Sequence, residues 1–165
     1  MGIIITLSIV FFISFMLIFK LVYSGNKEES EKEKLGFFGV IFVVFLLALL
    51  PTATIAFFLF VLLGSTNAIN TLFSLQISTK QVVFLAISLL VYLFSIDSII
   101  EIVVKHIVGQ RVFYFFIMML IRILASYAIG LFIGLNQNNS LIIAAGVSLI
   151  IFLFEVLYFL KTNQK

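Results

Sequence analysis

The sequence predicts an all-α integral membrane helical bundle that crosses the bilayer about five times, N-out/C-in, with its N-terminus outside and its C-terminus in the cytoplasm. Three observations lead there. Of the 165 residues 64% are apolar and only 10% charged, whereas about a quarter of the residues of a soluble domain carry charge. A soluble fold of this size still exposes roughly a third of its unfolded surface, far too much to hide such a chain from water. Second, five stretches approach the roughly 20 apolar residues needed to cross about 30 Å of hydrocarbon: 3–23, 35–63, 82–104, 112–135 and 141–160. Third, lysine and arginine alternate across the connections. Lys20, Lys27, Lys32 and Lys34 flank the first, Lys80 is alone in the second, Lys105 and Arg111 mark the third, the fourth has none, and Lys161 and Lys165 follow the last span. With five spans and the N-terminus outside, eight of these face the cytoplasm and one does not, as the positive-inside rule requires.

Taken in order, the first stretch is apolar without a preceding basic residue or a following small-residue cleavage site, so it reads as a retained helix and not as a cleaved signal peptide. Met1-Gly2 opens a loose myristoylation pattern, which adds nothing to a segment already bound for lipid. The cytoplasmic connection 24–34 is the one strongly hydrophilic run. There Glu28 and Lys32 stand four apart and Ser30 with Glu33 forms a capping box before the next apolar run. The second stretch contains the only proline, Pro51, where a kink or strong tilt is expected because proline removes a backbone donor and crowds the preceding turn. The following loop, 64–81, has a semi-alternating segment at 72–78 suited to lying along the interface. Residues 136–140 form a polar turn that makes the last two spans an antiparallel hairpin. Asn138-Asn139-Ser140 matches a glycosylation sequon, but it hugs the membrane in a chain whose Phe, Ile and Lys usage is that of an AT-rich bacterial genome. The whole is read as a single transmembrane domain, 1–165.

Four ionisable residues fall inside spans: Asp97, Glu101, Arg122 and Glu155. Charge there is costly unless paired, hydrated or able to reach the interface. All four lie in the half of the bilayer predicted to face the cytoplasm, and Asp97 and Glu101 share a helix face. Two uses follow. Either Arg122 is neutralised by a carboxylate and the pair orients helices, or the cluster lines a polar, proton-linked site open to the cytoplasm. Small residues at four-residue spacing, Ser126, Gly130 and Gly134, mark a close-packing face on the fourth span, and Ala144 with Ser148 does so on the fifth.

Chemistry is constrained by inventory. With no cysteine, one histidine (His106) and one aspartate, a thiol nucleophile, a His pair for a metal and an aspartyl dyad are all ruled out. Neither a Gly-x-Ser-x-Gly elbow nor a phosphate-binding glycine loop is present. No enzyme activity, cofactor, metal or nucleic acid partner is expected. The expected partners are the lipid bilayer and a protein at the cytoplasmic face.

From the second span onward, residues 60–64 (Phe-Val-Leu-Leu-Gly), residues 72–79 (Leu-Phe-Ser-Leu-Gln-Ile-Ser-Thr) and the span ending at Ile96-Asp97-Ser98-Ile99-Ile100-Glu101 carry a resemblance to the YrvL family of small bacterial membrane proteins. The resemblance covers about residues 40–160. It implies a non-enzymatic, multi-pass regulatory protein of the cell membrane, linked to restraint of an alternative sigma factor, with no catalytic residues to carry over. The alternative from a different class is a small membrane transporter, transporter subunit or immunity-type protein that uses the charge cluster.

Overall fold

A computed structural model of the chain describes residues 2–29, 34–109 and 112–162. Among these the secondary structure is helical throughout, and five helices are long and apolar enough to cross a membrane. The chain is an all-α protein with the build of a multi-pass membrane bundle. It divides into two compact units, Met1–Phe58 and Leu59–Lys165.

The first unit holds α1 (Gly2–Glu28) and the N-terminal part of α2 (Phe37–Leu72). No residue of α1 is buried, as expected of a helix whose solvent is lipid. Aromatic rings four residues apart fall on one stripe of a helix. Accordingly Phe11, Phe15, Phe19 and Tyr23 form a ladder with centroid spacings of 6.1, 6.3 and 5.6 Å, and the ammonium of Lys27 closes it 4.8 Å from the Tyr23 ring. Phe11 also meets Phe45 of α2 edge-on at 5.5 Å. The chain is folded back by Asn26, whose side-chain amide takes the backbone N–H of Leu35 at 2.8 Å and donates to its carbonyl at 2.9 Å. Helix α1 thus runs to Glu28, several residues past the expected boundary. The pairing of Glu28 with Lys32 and the Ser30–Glu33 capping box fall outside the described residues.

Helix α2 runs unbroken through Pro51. The proline leaves the carbonyl of Leu47 without its usual donor, and the two hydroxyls that follow it back-bond: Thr52 to Ala48 at 2.8 Å and Thr54 to Leu50 at 3.0 Å. The helix also continues to Leu72, nine residues beyond the expected 63. Polar residues at 65–67 and 70–71 read as loop, yet Leu59, Leu62, Thr66 and Ile69 are buried at helical spacing and the Thr71 hydroxyl caps back onto Asn67 at 2.9 Å. At 36 residues α2 is about 54 Å long, well over the hydrocarbon thickness.

The second unit continues with α3 (Thr79–Tyr92), a π turn (Leu93–Asp97), α4 (Ser98–Val108), α5 (Val112–Phe132) and α6 (Gln137–Thr162). The segment 72–78, expected to lie along the interface, is a braced loop. Helix α2 ends in a Schellman motif, with Leu75 N–H donating to Asn70 O at 3.0 Å and Ser74 N–H to Thr71 O at 3.3 Å. Asn70 then clamps Ile77 through both backbone groups (3.0 and 3.2 Å), and Asn139 of α6 donates to the Leu75 carbonyl at 2.9 Å. Ser78 opens α3 with a capping box to Gln81. The α5–α6 hairpin is the most extensive helix pair. Its connection is shorter than expected: a second Schellman motif, closed by Leu135 N–H to Gly130 O at 3.1 Å, leads straight to Asn136, which caps α6 through Asn139 N–H at 2.7 Å.

The two Schellman motifs differ at the one left-handed residue. Gly134 takes φ +87° in the second, but Ser74 takes φ +50° in the first, a conformation that costs a residue with a Cβ about 1 kcal/mol. Ser74→Gly is expected to raise thermal stability in detergent micelles by about that amount, and Gly134→Ala to lower it by a similar amount.

Candidate functional site

Regular helix pairing runs from residue i to i+4, whereas the π turn at Leu93–Asp97 admits one extra residue per turn and stacks side chains five apart. Serines assist the change. Ser95 donates its hydroxyl to the Val91 carbonyl, and Ser98 donates to Leu93 O at 3.3 Å, drawing backbone acceptors away from the normal ladder. As a result Tyr92 and Asp97 share a face, and the Tyr92 hydroxyl donates to Asp97 Oδ1 at 3.3 Å.

Asp97 meets Arg122, which stands midway along α5. Arg122 Nε lies 3.0 Å from both carboxylate oxygens and Nη2 lies 2.6 Å from Oδ2. The third guanidinium nitrogen, Nη1, reaches Glu155 Oε1 on α6 at 2.7 Å. One cation therefore ties the π turn, α5 and α6. The side chains of Asp97 and Arg122 are each 5% exposed, and that of Glu155 is 31% exposed. Forked contacts of this kind are short and strong because both partners are ionised and planar.

Glu101, one turn beyond Asp97, is not among the Arg122 contacts. It is half-buried and interacts with the Tyr114 hydroxyl on α5. Tyr114 belongs to an apolar cluster with Val104 and Met118, flanked by Ile100, Val108 and Ile121, that seats α4 on α5. Of the four ionisable span residues, then, three form one network and the fourth lies at its edge. Neither Tyr92 nor Tyr114 stands out in the sequence. Tyr92 is five residues from Asp97, a spacing that signifies contact only once the π turn is known.

Close packing of α5 on α6 follows from small residues. A Cβ on Gly130 would come within 2.9 Å of Ser140 Oγ, so the helices approach there only because Gly130 has none. Ser126, Ala144 and Ser148 are buried. Gly134 does not join this face: nothing lies within 4 Å of where its Cβ would be, and its role is the left-handed turn that ends α5. Gly146, unremarked in the sequence, would put a Cβ 2.6 Å from Ile69 Cδ1 and so admits α2 against α6. Pro51 lies in the other unit and His106 is exposed near the end of α4.

No model of a known protein family matches the chain, and no characterised protein or solved structure matches it.

Because Arg122 is shared by two carboxylates, its loss strands both. Arg122→Leu is expected to lower thermal stability by about 3–5 kcal/mol and to deplete the protein from membranes. Adding Asp97→Asn to Arg122→Leu is expected to cost clearly less than the two single effects together, measured by a double-mutant cycle on unfolding midpoints.

Proposed function

We propose that this chain is a non-enzymatic regulatory protein of the bacterial cell membrane, with its N-terminus outside and C-terminus in the cytoplasm, acting through protein contacts at its cytoplasmic face. The observation that carries this reading is the internal use of Arg122. Its guanidinium is spent on Asp97 and Glu155, so the cation of the spans serves as a tie between helices and is not left open to a cargo. What remains for recognition is the charged connection 24–34 and the helix ends beside it. The resemblance to the YrvL family agrees with a regulatory role and suggests a link to an alternative sigma factor. The connections between the helices are too short to form a sigma-binding domain, so the link would be indirect or membrane-tethered.

A second reading, a small transporter, transporter subunit or immunity-type protein, draws on one specific feature: the spans hold three carboxylates, Asp97, Glu101 and Glu155, against one Arg122.

Two measurements test the proposal. Since the chain has no cysteine, single cysteines report sidedness directly. Gln76→Cys is expected to react with an impermeant maleimide in intact cells, and Lys27→Cys only after permeabilisation; the reverse pattern inverts the orientation. Pull-down of the tagged protein from native membranes is expected to recover a signalling or transcription-linked partner that is lost when residues 27–34 are replaced by Gly/Ser. Recovery of no partner from either sample favours transport, with flux then measured in Asp97→Asn and Arg122→Gln.

A further inference from the structure

The Arg122 network does not balance. One guanidinium touches two carboxylates, leaving a surplus negative charge within the spans, where uncompensated charge is strongly disfavoured. A bound metal ion is a poor answer, because among the described residues no three Asp, Glu, His or Cys side chains are placed to hold one. A proton is the remaining counter-charge.

The geometry decides which oxygen takes it. Asp97 is held by three contacts from Arg122, at 3.0, 3.0 and 2.6 Å, and by the Tyr92 hydroxyl at 3.3 Å. Glu155 has one contact, at 2.7 Å, and is 31% exposed, so it is both the less committed and the less enclosed carboxylate. The charged and titratable groups that face it come from the neighbouring elements: Asp97 from the π turn, Glu101 from α4, Tyr114 and Arg122 from α5. Arg122 is the one cation among these, and Asp97 and Glu101 are the acids.

Glu155 also occupies a mechanically distinct place. Among the described side chains of α6 the buried ones are Ser140, Ile143, Ala144, Val147 and Ser148, all in its N-terminal half. From Leu149 to Leu157 none is buried. That stretch is fastened to α5 by the Glu155–Arg122 contact and by the Phe152 ring, 6.0 Å from Phe116.

We propose that Glu155 is a reversible proton-binding site whose occupation releases the C-terminal half of α6 from α5. A proton added to the Glu155 carboxylate makes a neutral carboxylic acid, the ion pair with Arg122 Nη1 is lost, and the network passes from one surplus negative charge to neutrality with Asp97 still paired to Arg122. This stands apart from the regulatory reading above, since a proton-operated latch serves a regulator or a transporter equally.

The test uses the full chain in lipid nanodiscs. Infrared difference spectra between neutral and acidic pH are expected to show a carboxylic acid band that disappears in Glu155→Gln and survives in Glu101→Gln. In parallel, spin labels on Phe113→Cys and Leu157→Cys, both at exposed positions, are expected to show a lengthened and broadened distance distribution on acidification. Glu155→Gln is expected to show the acidic distribution already at neutral pH. The proposal is overturned by a wild-type spectrum without a carboxylic acid band, by a band that persists in Glu155→Gln, or by a label distance indifferent to pH. The wild-type titrations decide the matter even if Glu155→Gln does not fold.

Discussion

A guanidinium midway along a membrane-spanning helix has to be answered by the protein itself, and much of the second unit is arranged to answer it. Arg122 is effectively always charged, so it cannot escape the apolar surroundings by losing a proton as a lysine would, or by gaining one as a carboxylate would. Its partners must therefore be delivered to a particular depth from two other elements. Asp97 arrives on the π turn and Glu155 on α6, and close approach of α5 to α6, admitted by Gly130 against Ser140, brings the second within reach. Packing and electrostatics depend on each other here: a methyl group at 130 would push apart the helices whose proximity the ion pair needs.

Away from that network, irregular backbone is held by asparagine. Lipid offers no hydrogen bonds to a chain that leaves its helix, and Asn26, Asn70, Asn136 and Asn139 each give a side-chain amide to backbone groups at a helix end. An amide can donate and accept at once. Asn26 and Asn70 do so against both groups of a single residue, imitating one rung of a sheet. Four polar side chains thus brace described helix ends in a chain that has few to spare.

The number and type of the helices were legible because a run of some twenty apolar residues has few other uses. The ends of α1 and α2 were not. Ser65, Thr66, Asn67, Asn70 and Thr71 look like loop by polarity, but a helix leaving the hydrocarbon has no reason to stop where apolarity does, and Thr66 is fully buried despite its hydroxyl. In the charge cluster, the four residues could be picked out by the cost of placing charge in a span. Which of them would meet could not, because the π turn changes the face on which Asp97 emerges, and nothing in Leu93-Phe94-Ser95-Ile96-Asp97-Ser98 encodes that change except two well-placed serines. Gly134 shows the opposite failure: four-residue spacing put it on a packing face, while its conformation assigned it to a turn.

Within an apolar helix, side-chain identity is forgiving on the lipid-facing side, whereas adding or removing one residue turns all that follows by about 100°. The stretch between Tyr92 and Ser98 is where this chain has built such a shift into its fold. It stores one residue more than a regular helix would hold, so its count works as a phase setting for everything downstream. Without that residue the helix would close up into an ordinary ladder, and α4 would turn by roughly 100° about its axis relative to α3. Both ends could not then keep their present faces: with α4 seated on Tyr114 and Met118, the buried face of α3 would be turned away, and the reverse. This part of the chain can thus tolerate a change of side chain far better than a change of length.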